Sequence, residues 1–347
     1  MKEFFKDSDV FYSEFYDKDS FGSIINKSSD FVVTSGNSVI ILGFDEIVSD
    51  PIRVELYKTS YTFENLNISD IGNLKDKSLE NIRDSFKKLS GQNLNVIVLG
   101  SVPEQIIKLL ESFVNGFVNI AFIEKKGDVF FSESVKTLVD NALFINKAKL
   151  LCYQSHLLHS NKLDGLRINQ SMRLGEFRNN YRQAEPLIRD IDVAFFNLDS
   201  IRYSEIPGIV NTSPSGLTSE ESCQIMKYMG LNTKNNLIGF LGYDPKYDFH
   251  GQGAMIISQM IWYYLEGLDQ RIIEDVNNTS YIQTFMVELS DYNLSLKFLQ
   301  SKKTGRWWVE IPLNEDKESY FMPCSEEDFD KARNNDLSYR IFNELSL

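Results

Sequence analysis

Cysteine is scarce in this sequence. Only Cys152, Cys223 and Cys324 occur in 347 residues, odd in number and far apart. That excludes a disulfide scaffold and points to free thiols in a reducing compartment, with the cytoplasm as the expected setting. Basic residues are in deficit: 36 Lys and Arg face 49 Asp and Glu, a formal charge of -13. Such a field repels phosphate backbones and anionic lipid surfaces, so nucleic acid is not an expected partner. Long apolar runs are missing too. No window reaches the ~18 uninterrupted apolar residues of a membrane span, so direct membrane insertion is not expected. The acid-studded start MKEFFKDSDVFYSEFYDKD lacks the apolar stretch of a secretory signal, which argues against export by that route. No Gly-x-Gly-x-x-Gly, Walker loop, Cys-x-x-Cys pair or Gly-x-Ser-x-Gly elbow is present.

What remains is the composition of a folded protein, with 42% hydrophobic and 24% charged residues, in a length that suits one large α/β domain or two medium ones. From about residue 30 to 270, short β-branched or apolar runs alternate with helical stretches. FVVTSG, SVIILGF, NVIVLG, NIAFI, AKLLCY, VAFFNL and NLIGFLGY read as strands. SLENIRDSFKKLS, EQIIKLLESFVN, VKTLVDNALF, EPLIRDI, SEESCQIMKYMG and AMIISQMIWYYLEGL, between or after them, carry apolar residues at helical spacing. This alternation predicts a three-layer, doubly wound, mainly parallel α/β sheet.

After Gly267 the pattern changes. YIQTFMVEL, LSLKFLQS, RWWVEIPL and YFMPC read as strands with turn signals between them, including KKTG, and no helix interposed. The expected division is an N-terminal segment 1–29, an α/β core 30–275 and a C-terminal antiparallel β-rich extension 276–347. RWWVEIPL is too apolar to remain exposed and should pack on the core or on a partner.

In an open parallel sheet, ligands collect at the carboxyl ends of strands, which directs attention to LGSVPEQ, EKKGD and FNLDSIRYSEIPG. Together these resemble the ureohydrolase family of arginases, agmatinases and formimidoylglutamases, and most of all its formimidoylglutamase-like branch from Bacteroidetes. The best stretch is residues 196–231, with an Asp-x-Asp-like motif, a Pro-Gly turn, a Gly-Leu and a Glu-Glu-rich helix start. Residues 242–267 resemble the family's last strand and helix.

The resemblance implies an arginase-like fold and, in active members, two adjacent divalent cations, commonly manganese, with a bridging hydroxide that attacks a guanidinium or formimino carbon. Carried onto this sequence residue by residue, it implies a degenerate metal pocket. The Gly-Gly-x-His-Glu motif becomes Gly100, Ser101, Val102, Pro103 and Glu104, so proline stands where an imidazole belongs. Asp-x-His-x-Asp becomes Glu124, Lys125, Lys126, Gly127 and Asp128, and Asp-x-Asp becomes Asn197, Leu198 and Asp199. The glutamate that would hold the substrate's cationic group falls on Gly242. Only Asp128 and Asp199 keep the family residue, and Lys126 brings a cation where cations should bind. Two unit charges ~4 Å apart interact by ~4 kcal/mol at moderate effective dielectric. The implied protein has no bound metal and no catalytic residue. It is a pseudoenzyme that works as a binding or scaffold protein for a protein partner of unknown identity, and homo-oligomers are common in the family. Lys126 is expected to lie against Glu124, Asp128 or Asp199 as the replacement for the lost cations.

Other readings stand beside this one. EKKGD alone reads as a solvated loop, and Asp128 and Asp199 equally suit the capping of a helix or turn. His156 and His159, three apart, form half a metal site at most, and His250 lies near the implied pocket mouth. The aromatics of IWYYLEG and RWW fit helix and sheet packing. The alternative function is a metal-dependent hydrolase of formimidoylglutamate or another amidine or guanidino compound, with Glu124, Asp128, Asp199 and His250 as its polar groups.

Overall fold

The computed structural model describes residues 1–12, 16–30, 38–90, 94–101, 110, 113, 116–126, 145–157, 168–210, 212–312 and 319–345. A ten-stranded sheet forms the core, built from β1 (Phe5–Lys6), β2 (Asn26–Lys27), β3 (Ser38–Gly43), β4 (Asn67–Leu74), β5 (Asn95–Ser101), β6 (Val118–Ile123), β7 (Ile145–Tyr153), β8 (Ile168–Arg173), β9 (Val193–Asn197) and β10 (Leu237–Leu241). Its order is β1-β4-β3-β5-β10-β9-β6-β7-β8, with β2 also on β4. Every pairing is parallel except β1 with β4. The inner strands β3, β5, β6, β9 and β10 are apolar on both faces because both faces are covered. Ile41, Ile97 and Leu99 join the core on one side, while Ile40, Leu42, Val96 and Val98 join the core on the other.

Helices α1 (Glu46–Lys58), α2 (Leu79–Leu89), α3 (Ser219–Leu231) and α4 (Gln252–Asp269) follow strands. Thr218 and Glu221 start α3 with a reciprocal capping box, Glu221 N donating to Thr218 Oγ1 at 3.1 Å and Thr218 N to Glu221 Oε2 at 2.8 Å. Helices α3 and α4 meet through Gly230 and Gly267. A Cβ on Gly230 would lie 2.1 Å from the Tyr264 carbonyl oxygen, so this crossing admits no side chain there.

The doubly wound parallel sheet follows the alternation in the sequence, but two elements depart from the hydrophobic pattern. Helix α1 contains Pro51, in a segment outside the helical stretches read from the sequence. Strand β4, NISDIGNL, reads as polar yet is buried for most of its length. Its Asp70 is fully buried and takes Arg53 of α1 at 2.8 Å and 3.1 Å. Arg53 also donates to the Gly72 carbonyl at 2.9 Å and to Asn73 Oδ1 at 2.7 Å. Tertiary pairing thus stabilises a strand that hydrophobic periodicity cannot reveal.

The extension is a four-stranded antiparallel sheet, β11 (Ile282–Leu289), β12 (Leu294–Ser301), β13 (Trp307–Pro312) and β14 (Ser319–Cys324), in sequential order. The KKTG turn joins β12 to β13, with Gly305 at φ +73°. Trp307 stacks on Phe329 with centroids 4.5 Å apart. Phe329 belongs to α5 (Glu326–Arg333), and α6 (Tyr339–Glu344) follows. These two helices follow the last strand and complete the β-rich extension. The Ser325–Asp328 capping box at the start of α5 was the available sequence signal. The sheet packs on the core, as the apolar RWWVEIPL requires: Arg189 Nη1 donates to the Trp307 carbonyl at 2.7 Å, and its guanidinium carbon lies 4.9 Å from the Trp308 ring centre.

Candidate functional site

Strand order brings the three sequence-distant motifs to one place. Leu241 pairs with Ser101 on one side and Asn197 on the other, and Ile123 pairs with Phe196. The carboxyl ends of β5, β10, β9 and β6 are therefore neighbours at one level, and Ser101, Gly242, Asn197 and Glu124 stand at or just past it. Pro103, Glu104, Gly127 and Asp128 lie outside the described residues, as does His159.

Glu124 is buried, and its backbone N–H donates to the Leu151 carbonyl at 3.1 Å, which ties the end of β6 to β7. Lys125 is buried as well, and Lys126 is half-buried. The Lys125 carbonyl accepts from Gln154 N at 2.9 Å, and Gln154 Oε1 in turn accepts from Ser215 Oγ at 2.8 Å. The sequence reading singled out Lys126 and passed over its more deeply buried neighbour.

Asn197 ends β9, and its Oδ1 accepts from Asp199 N at 3.1 Å, closing the turn Leu198–Ser200. The oxygen that accepts from this turn's backbone is thus the amide at 197, a residue not among the capping candidates Asp128 and Asp199. Asp199 is buried beside it. Gly242 faces both, with φ +84°. A Cβ built there would lie 3.0 Å from Asn197 Oδ1 and 3.5 Å from Asp199 Oδ1. Left-handed φ and close approach together favour glycine.

Next to Gly242, backbone pairing ties the end of β10 to the segment after β9. Ile209 bridges Tyr243, and Asp244 N donates to the Gly208 carbonyl at 3.0 Å. Asp248 is buried and accepts from Gly253 N and Ala254 N, both at 3.0 Å, and from the Tyr243 hydroxyl at 2.8 Å. Burial and the Asp248 carboxylate push the Tyr243 hydroxyl well above the usual tyrosine range. Asp248 thereby organises the start of α4, whereas His250, two residues on, is exposed, as is His156 after β7. Burial also pushes the Cys152 thiol up, and Cys223 to about 12, so these thiols are inert. Cys152 adopts a positive φ of 63° at an irregularity of β7, a feature no sequence signal announces.

The described donors at these strand ends are those of β6 and β9. They comprise two carboxylates, Glu124 and Asp199, and one amide already committed to a turn. Among the described residues, no group of three or more His, Cys, Asp or Glu side chains gathers as metal ligands do.

No known family profile matches the chain, and no curated protein sequence matches it. Solved structures do. Formimidoylglutamase from Bacillus subtilis superposes with a TM-score of 0.62 at 16% identity, over 76% of this chain and 96% of that one. The manganese-bound formiminoglutamase of Trypanosoma cruzi gives 0.58 at 17%, over 68% and 95%. This chain has the ureohydrolase fold. Agmatine ureohydrolase of Thermoplasma volcanium matches at 0.53 and 13%, over 67% and 89%. Each ureohydrolase is covered almost whole, whereas a quarter to a third of this chain lies outside the match.

Proposed function

We propose that this chain is a ureohydrolase-fold protein of the formimidoylglutamase-like branch that has lost binuclear metal chemistry and acts as a binding or scaffold protein for another protein. The observation that carries the reading is Gly242 against Asn197 and Asp199. Its φ of +84° and the 3.0 Å approach to Asn197 Oδ1 disfavour the glutamate that the family resemblance calls for. The Asn197 oxygen is occupied by Asp199 N, and a neutral amide is a poor substitute for a charged, oxygen-rich manganese ligand. Lys125 and Lys126 bring positive charge to the end of β6, which favours retained carboxylates but opposes added cations.

The test is metal content by mass spectrometry after incubation of the full chain with manganese, together with release of urea, formamide or ammonia from arginine, agmatine and formimidoylglutamate. No stoichiometric manganese and no product above a denatured control are expected. About two manganese ions per chain, with turnover abolished by Asp199→Ala, would overturn the reading in favour of a metal-dependent hydrolase.

A further inference from the structure

The opposite end of the sheet carries a different chemistry. A cavity of about 320 Å³ opens between the amino ends of the core strands and the C-terminal sheet. It is bounded by Asn119 and Asn146 at the starts of β6 and β7, by the turns before β9 and β10, and by Trp308 and Phe321 of the extension. Among the described residues, four cations line it, Lys147, Arg189, Lys234 and Arg306, against two carboxylates, Asp190 and Glu274. That reverses the balance of a chain with 36 basic and 49 acidic residues.

The two carboxylates are largely engaged. Asp190 holds the buried ammonium of Lys149. Glu274 accepts from the hydroxyls of Ser301 and, at 2.9 Å, Thr304. Arg306 Nη1 therefore stands 3.8 Å from Glu274, too far for a hydrogen bond. Arg189 and Arg306 share one partner, Glu185, whose Oε1 accepts from Arg189 Nε at 2.9 Å and lies 3.1 Å from Arg306 Nε. A third guanidinium, Arg271, is close enough to repel Arg306, and its Nη2 is buried without a hydrogen-bond partner. Arg189 and Arg306 also face a second cavity, of about 760 Å³, between the core and α5, with Trp307 and Tyr228 as aromatic walls. Clefts of this size between packed units are typical small-molecule sites.

We propose that this junction binds a small organic oxyanion, a carboxylate or a phosphate ester, with its charge on Arg306, Arg189 and Lys234 and its apolar body against the tryptophans. An oxyanion would accept the Nη1 hydrogens of Arg306 and relieve repulsion between guanidiniums that share one carboxylate, and guanidinium forks suit both anion geometries. The site is at the far end of the strands from Asn197 and Gly242, so it is independent of the lost metal chemistry.

The experiment is titration calorimetry on the full chain at fixed ionic strength with inorganic phosphate, succinate and the uncharged succinamide. A single site is expected for phosphate or succinate, and whichever binds tighter identifies the anion; succinamide should not bind. Arg306→Gln should weaken binding on the order of tenfold, the loss of one charge-assisted contact. Because Arg306 also contacts the Leu231 carbonyl at 3.2 Å, Lys234→Gln provides a second variant: its ammonium is exposed and makes no hydrogen bond among the described residues, and several-fold weakening is expected. Lys246→Gln, at the opposite end of the sheet, should bind as the parent does. Absence of binding by both anions, equal binding of succinamide, or affinity unchanged by both Arg306→Gln and Lys234→Gln would overturn the proposal.

Discussion

The two ends of the parallel sheet have diverged in what their polar side chains do. At the carboxyl ends, where the fold conventionally places chemistry, Asn197 and Asp248 accept from backbone amides, and Gly242 presents no side chain at all. At the amino ends, charged groups form a dense lattice with the C-terminal sheet and its helices. Lys147 donates to Glu344 at 2.7 Å, Lys149 is buried against Asp190, and Arg189 and Arg306 share Glu185. The same backbone architecture supports both ends, which shows how little the fold alone says about where a protein keeps its reactive or recognising groups.

The largest effect expected is at the amino end. Lys149 is almost wholly buried, donates to the Leu187 carbonyl at 2.8 Å and neutralises Asp190. Lys149→Met leaves that carboxylate without its counter-charge and should destabilise the fold by about 3–5 kcal/mol, read from the urea midpoint. A loss below about 1 kcal/mol would show that the lattice is solvated and would erase the contrast between the two ends.

The same contrast explains what the sequence could disclose. Hydrophobic alternation exposes the parallel strands because VIILG and VAFF are buried on both faces, and the motif order exposes the ends that converge at Asn197 and Gly242. Strand β4 stays hidden because its Asp70 and Asn73 are satisfied by Arg53, a partner that periodicity cannot supply. The junction cavity stays hidden for the same reason: Lys147, Arg189, Lys234 and Arg306 are single residues scattered over four segments, and only the folded chain assembles them. Pro103 and Asp128, read directly from the motifs, lie outside the described residues, so the sequence speaks there alone.

A second test concerns Gly242. Gly242→Glu restores the side chain that the resemblance calls for, but at a left-handed φ and against Asn197 Oδ1. A cost of roughly 1–3 kcal/mol is expected, with no gain of amidine or guanidino hydrolysis. A stable, active Gly242→Glu would mean that the carboxyl end is poised for amidine or guanidino hydrolysis.

Acid should loosen the amino-end junction with a smaller effect. Burial opposes ionisation of Glu344, but Lys147 and Tyr320 outweigh it and hold the carboxyl below its usual range. Burial likewise opposes ionisation of Asp328, and Arg340 with the Ser325 cap outweighs it. Both depressed values give stability that is present above the ordinary carboxylate range near ~4 and is lost as pH falls through the folded values beneath it. Tryptophan fluorescence, which reports Trp307 and Trp308 in the extension together with Trp262 in the core, should therefore show a thermal midpoint that falls by several degrees below about pH 4. Glu344→Gln should flatten that dependence. A midpoint independent of pH in this range would mean that these bonds do not secure the extension.

The smallest effect, and the sharpest for the carboxyl end, is expected at Asn197. Its Oδ1 accepts from Asp199 N, so Asn197→Ala should cost about 1 kcal/mol, the worth of a lost cap. Asn197→Asp keeps the acceptor but adds a second carboxylate beside buried Asp199. At acidic pH, where the new group is protonated, its stability should equal the parent's within about 0.5 kcal/mol. Repulsion raises the folded value of the new carboxyl, so a deficit should open as pH rises through its ordinary range toward neutrality. Manganese distinguishes the two accounts of this end of the molecule. If the ends of β5 and β6 supply no imidazole, paired carboxylates alone bind the ion too weakly to close the deficit, and the melting curves with and without manganese should coincide. Closure of the deficit by manganese would show that one changed residue is all that separates this sheet end from a metal site, and that the residues at the ends of β5 and β6 matter less than the charge at Asn197.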